Sequence, residues 1–339
     1  MYKAKTAILF ILVLPFLMGI SAFSDEQLLC FRFHIPRTTA LFENMGDQDF
    51  SDTIEPQTVD VLKTNGNWMQ INTRLGPRWV YLNFAPPTYE LDRHLRRFGT
   101  NVAVYYKNIQ TGFTYAFNPN RVFFGASVPK LYNALYVYTL AERGYISLDT
   151  VYTYTWADFW GGTGAIRHMP IGSRLTTRQL LGHSVIDSDN VAFGMLVREY
   201  APAHFSYRDF VREIGANPSF IISKTEKNIT ARDAAIWAYA IYRYMESDGR
   251  YAHLLKEDLM NTAVRFIQAD YPVAQKYGWY RQWFHDLAIV YADSPYILII
   301  LSNKGGDSDT AHIYNRHIAA HDTFAEISLL IQDFHNKWF

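Results

Sequence analysis

The chain predicts an α+β fold: one antiparallel sheet flanked by helices, with a helical region inserted between distant strand segments, and a small all-β barrel in front. Three observations carry this. Strand-like runs stand at residues 101–118 and again at 285–303, helical or loop patterns dominate from about 174 to 268, and residues 31–85 alternate short strands with turns. With 339 residues, 49% of them hydrophobic, the chain is long enough for two globular units and apolar enough to bury a large core.

Lys3 and Lys5 precede the apolar run "AILFILVLPFLMGI", and "SAFS" follows with small residues at Ala22 and Ser24. That order predicts a signal segment over residues 1–24, and with it a secreted or cell-envelope protein. An uncleaved anchor is the alternative; the run is short for a spanning helix and contains Pro15. Cys30 is the only cysteine, so no intrachain disulfide forms and stability rests on packing. Thirty-two basic residues balance thirty-two acidic ones without blocks of like charge, which leaves no electrostatic footprint for nucleic acid.

Residues 31–85 read as a small β-barrel: "FRFHI", "TVDVL", the turn "KTNGN", "WMQINT", the turn "RLGP" and "RWVYLNF". Val59 and Val61 alternate with polar neighbours, and Asn65-Gly66 signals a reversal. Gly66, Trp68, Gly76, Trp79 and Val80 together resemble bacterial SH3-like (SH3b) modules, and that resemblance implies binding to cell-wall material. "APPTYELDRHLRRFG" then breaks the pattern with prolines and predicts a linker helix within 86–99.

From residue 100 to 339 the larger domain begins with a hairpin around Gln110-Thr111-Gly112. A helix is expected over 128–143. "HDLAIVYA", the turn "DSP" and "YILIILSN" predict a second, fully buried hairpin. A last helix carries Phe324, Ile327, Leu330, Ile331 and Phe334 on one face.

Three short patterns bear chemistry. In "FFGASVPKLYNALYVY", Ser127 and Lys130 stand at i and i+3, with Pro129 in a position the first helical turn tolerates. A serine there has unpaired backbone N–H groups nearby for a developing oxyanion, and a neutral lysine beside it accepts a proton. Taken alone, Ser-x-x-Lys occurs by chance in a chain of this length and reads as a helix cap. Next, "GHSVIDSDNVAFGML" holds Ser188-Asp189-Asn190, whose first and last side chains point the same way in an extended loop. Last, "QKYGWYRQWFHDLAIVY" places Lys276 and Gly278 on one face of an expected strand, the glycine allowing close approach and the lysine offering a carboxylate partner.

In this order the three resemble the motifs of the serine penicillin-recognising enzymes, class A β-lactamases above all: Ser-x-x-Lys, Ser-Asp-Asn and Lys-Thr-Gly. "GGTGAI", "GSRLTTRQLLGHSVIDSDN", "NITARDAAIWAYAI" and "HDLAIV" extend the resemblance over roughly residues 100 to 338. It implies Ser127 as acylated nucleophile, Lys130 as its base, Ser188 as proton shuttle to the leaving nitrogen and Asn190 as a contact to the substrate amide. Lys276, Tyr277, Gly278 and Trp279 would edge the substrate site. In that frame Lys276 meets the substrate carboxylate, and the backbone N–H groups of Ser127 and Trp279 form the oxyanion hole. The implied substrates are β-lactams or peptidoglycan stem peptides.

Two departures stand out. Tyr277 takes the usual threonine position, and no Glu-x-x-Leu-Asn supplies a deacylation glutamate; Glu226 in "SKTEKN" is a nearby substitute or a solvated loop charge. The remaining alternative is a catalytically silent wall-binding protein that uses the SH3-like module. A nucleophile elbow is disfavoured because "GASVP" puts Pro129 where the second glycine belongs. "HIAAH", with His317 and His321, lacks the glutamate of a zinc protease helix, so no metal or cofactor is expected.

Overall fold

The computed structural model describes residues 32–35, 37–65, 67–82, 88–200, 207–216, 228–303 and 313–339, the side chains of Arg32 and of 313–319 aside. Cys30, the expected signal segment, Gly66, the prolines at the expected domain boundary, Glu226 and the His317 side chain lie outside the described residues.

Six strands come first: β1 (Arg32–Ile35), β2 (Thr39–Phe42), β3 (Asp52–Ile54), β4 (Gln57–Asn65), β5 (Trp68–Thr73) and β6 (Gly76–Tyr81). Alternation decides their inner face, so Val59, Val61, Met69, Ile71 and Val80 are buried while their neighbours are not. Strands β2 and β3 carry no such alternation long enough to be legible and were not expected. The expected "RLGP" turn is tighter than the sequence suggested. Thr73 pairs with Gly76, so only Arg74 and Leu75 turn, and Gly76 opens β6 at φ +87°.

Helix α1 (Tyr89–Leu95) leads to the hairpin of β7 (Val102–Asn108) and β8 (Thr114–Phe117). Short β9 (Phe123–Phe124) precedes α2 (Pro129–Glu142), which starts one residue later than the sequence suggested because Pro129, lacking an N–H, fits the first helical position. The middle of the chain holds β10 (Val151–Thr153), β11 (Arg174–Thr176), α3 (Thr177–Val185), α4 (Asn190–Tyr200), α5 (Tyr207–Glu213), β12 (Asn228–Ile229), α6 (Ala231–Met245) and α7 (Ala252–Met260). Then come β13 (Val273–Tyr280), β14 (Trp283–Val290), β15 (Tyr296–Ser302) and α8 (Ile313–Trp338).

The main sheet runs β13-β14-β15-β7-β8 and continues through a parallel contact, Lys63 with Thr114, into β4-β5-β6-β2-β3, with β1 beside β4. Its β13–β8 half is antiparallel, as expected, and β7 from the start of the domain lies beside β15 from its end. Helices cover both faces. On one side α2, α3, α4, α6 and α7 pack on Ala274, Leu287, Ile289, Ile297 and Ile299. On the other, Leu91 of α1 and Phe324, Ile327, Ile331 and Phe334 of α8 pack on Val104, Tyr106, Ala288, Leu298 and Ile300, in a core continuous with that of β1–β6. Burial on both faces is why β15 is apolar at six of its seven positions.

Candidate active site

Ser127 sits in the turn between β9 and α2. The N-cap of α2 is Val128, with no side-chain cap bond, so the serine lies one residue before the cap position. Ala126 just ahead of it has φ +48°, and Ser188 has φ +56°. Left-handed backbone at residues with a Cβ costs free energy and gathers where surrounding structure enforces it, commonly at functional sites.

Lys130, on the first turn of α2, is fully buried. Its Nζ donates to the Ser188 carbonyl, to Ser188 Oγ at 3.2 Å and to Asn190 Oδ1 at 2.7 Å. The first two patterns of the sequence are thus brought together through one amine. The Asn190 amide donates to Gly161 O at 2.7 Å, and Thr163 Oγ1 donates to Ser188 O at 2.7 Å. The "GGTG" loop therefore forms one wall of the site.

Asp189, between the two functional side chains, points inward. Its Oδ1 accepts from the N–H groups of Val191 and Ala192 at 2.8 and 3.0 Å, and its Oδ2 from that of Ile166 at 2.9 Å. One carboxylate thus caps α4 and pins the loop after Gly164. Gly164 is required by this contact: at φ +113° its Cβ would lie 2.1 Å from Asp189 Cγ. Sequence reading missed this positioning role because it attended to Ser188 and Asn190; the glycine-rich loop was the available signal.

Strand β13 forms the opposite wall. A Cβ on Gly278 would lie 3.1 Å from the Ser127 backbone nitrogen and 3.0 Å from Gly125 O, so any side chain there would press on the serine turn. Trp279 follows, 39% exposed and stacked on Phe284 at 5.4 Å. Lys276 is fully buried, and its Nζ donates to Tyr277 O at 2.9 Å and lies 4.2 Å from the Tyr277 ring centroid. The Tyr277 side chain is buried close to Ser188. Burial pulls Lys276 down to about 7, against the opposing field of Asp286. Asp286 itself is buried and pushed upward, although it accepts from Phe266 N and Ile267 N at 2.9 and 3.0 Å.

His285, opposite Gly278, is a second positioning residue the sequence did not reveal. Its Nε2 donates to Phe124 O at 2.8 Å and its Nδ1 accepts from Ser302 N at 3.2 Å, a tautomer fixed by its partners that ties β9 to β14. Burial lowers its pKa to about 4. An unfolded histidine binds a proton below about 6.5, whereas the folded one does not until about 4, so stability is full above pH 6.5 and falls as pH drops through that window. The expected loss from this group is about 1.4 kcal/mol per pH unit. Urea denaturation of wild type and His285→Gln at pH 7 and pH 5 checks it: the wild type should lose more on acidification, and equal losses would remove His285 as the cause.

Among the described residues no cluster of three or more His, Cys, Asp or Glu is arranged for a metal, and the His321 ring packs edge-on against Phe266 at 4.7 Å.

Solved structures with the same fold include PBP-A (15% identity over 71% of this chain and 98% of that one, TM-score 0.58). A β-lactamase from Sphaerobacter thermophilus is similar at 16% identity, covering 73% of this chain and 95% of that one, with TM-score 0.61. Another, from Chitinophaga pinensis, is 20% identical over 73% of this chain and 98% of that one, with TM-score 0.60. No curated protein sequence matches. The fold of the chain is β-lactamase-like. A model of one family, described as the beta-lactamase enzyme family, matches residues 86–334, and the chain belongs to that family.

Proposed function

We propose that the chain is an exported serine acyl-enzyme hydrolase of the penicillin-recognising type, acylated at Ser127 by β-lactams or by the D-Ala-D-Ala bonds of wall peptides. The observation that carries this reading is Lys130: a fully buried amine one helical turn from Ser127, held against Ser188 and Asn190. Burying an amine is costly, and a merely structural residue at this place has no need of one. A similar fold, a variant of PBP-A, has been solved as an acyl-enzyme complex with penicillin G.

In this mechanism Lys130 acts as the neutral amine, giving up its third donated bond, and its lone pair takes the Ser127 proton as Oγ attacks the substrate carbonyl carbon. The carbonyl oxygen, now negative, lies between the N–H groups of Ser127 and Trp279. As the carbon–nitrogen bond breaks, Ser188 gives its hydroxyl proton to the leaving nitrogen and regains one from the Lys130 ammonium. Asn190 holds the substrate amide. Water then hydrolyses the ester; Glu226 is the sequence's candidate to activate it. The β1–β6 module adds affinity for wall material, a reading supported by Trp68, which meets Phe42 and Tyr81 edge-on at 5.1 and 5.2 Å on the partly exposed face of its sheet.

Time-resolved intact mass of the protein with benzylpenicillin tests the reading. An adduct of one penicillin is expected in wild type and none in Ser127→Ala. Labelling that persists in Ser127→Ala would sink the assignment.

A further inference from the structure

The residue that departs most from the Lys-Thr-Gly pattern is also the one the site has built around. Tyr277 is only 5% exposed, its ring meets Phe266 edge-on at 6.0 Å, and it lies close to Ser188. Beside it the Lys276 ammonium lies on the ring face at 4.2 Å and donates inward to Tyr277 O, with no surface open to solvent. An anion pocket is built from donors that face the ligand. Here the charged donor is sheathed by an aromatic ring and turned inward. The nearby carboxylate of Asp187, paired to His183 at 3.0 Å and 44% exposed, adds like charge against any incoming carboxylate.

We propose that Tyr277 closes the carboxylate pocket beside Ser188, so that the acyl donor of Ser127 is uncharged next to its scissile bond. The inference rests on the reading of Ser127 as the acylated residue. The substrate class it names is an amide or ester whose leaving group bears no free α-carboxylate: an internal peptide bond of a cross-linked or amidated wall peptide, in preference to one that releases a free C-terminal residue.

Acylation rates measured by intact mass with benzylpenicillin and its methyl ester test this. Wild type should acylate with the two within about threefold of each other. Tyr277→Thr, which reopens the pocket, should shift the ratio at least tenfold toward the acid, and Tyr277→Phe, which keeps the ring, should leave the ratio as in wild type. A wild-type preference for the acid of tenfold or more overturns the inference and leaves Ser127 acylation intact. The wild-type ratio decides even if Tyr277→Thr fails to fold. Acylation by neither compound overturns the acyl-enzyme reading, and this inference with it.

Discussion

Replacing Lys130 by alanine slows acylation of Ser127 by about 10³-fold, the range expected when a positioned proton acceptor is removed. The amine makes three contacts, to Ser188 O, Ser188 Oγ and Asn190 Oδ1, and it is sealed from solvent, so bulk water does not replace it at the same geometry. Alanine also leaves a cavity and two stranded acceptors. Lys130→Met, which fills the volume without an amine, separates chemistry from packing. Both variants should lose acylation to similar extents in intact-mass time courses with benzylpenicillin, while methionine preserves more of the melting temperature. An acylation rate within threefold of wild type in Lys130→Met would remove the lysine from the mechanism.

The largest stability effect falls on Asp189. Its carboxylate serves three backbone N–H groups at full burial, and hydrogen bonds to a charged group contribute about 1.5–3 kcal/mol each. Asp189→Ala strands all three donors and opens space against Gly164, so a loss of about 4 kcal/mol or more is expected. For a domain of this size that is a fall of roughly 10 °C in Tm. Asp189→Asn keeps an acceptor for Val191 and Ala192 and turns its amide toward Ile166, so it should fall between. Thermal melts decide: a drop under about 2 °C for the alanine variant would show that the loop and the start of α4 hold together without this carboxylate.

Much of this architecture was legible in the residues. The hairpins at 101–118 and 285–303 announced themselves through uninterrupted apolar runs around turn residues, and α2 through Pro129 followed by a long apolar stretch. What joins them was not. The contact of Lys63 with Thr114 is a backbone event with no side-chain signature, so the continuity of the small module with the main sheet left no trace in the sequence pattern. Asp189 and His285 each satisfy one backbone group of a segment 20 or more residues away, and periodicity reports nothing about partners at that distance. Tyr277 showed itself as a departure in a motif, yet the burial of its ring against Lys276 and Phe266 depends on how β13 is packed.

The pairing of β7 with β15 has a further consequence, for the order in which the molecule is completed. Ser127 and Lys130 leave the ribosome early, but the wall that faces them, β13, is more than 140 residues away in the chain, and β7 waits for β15. Tyr106 meets His335 at 2.8 Å across 229 residues, so the second face of the sheet is covered only by segments far along the chain from the strands they cover. Such a topology has high contact order and folds slowly as one late event. A growing chain thus carries Ser127 and Lys130 without their facing wall until β13 and β15 have been made.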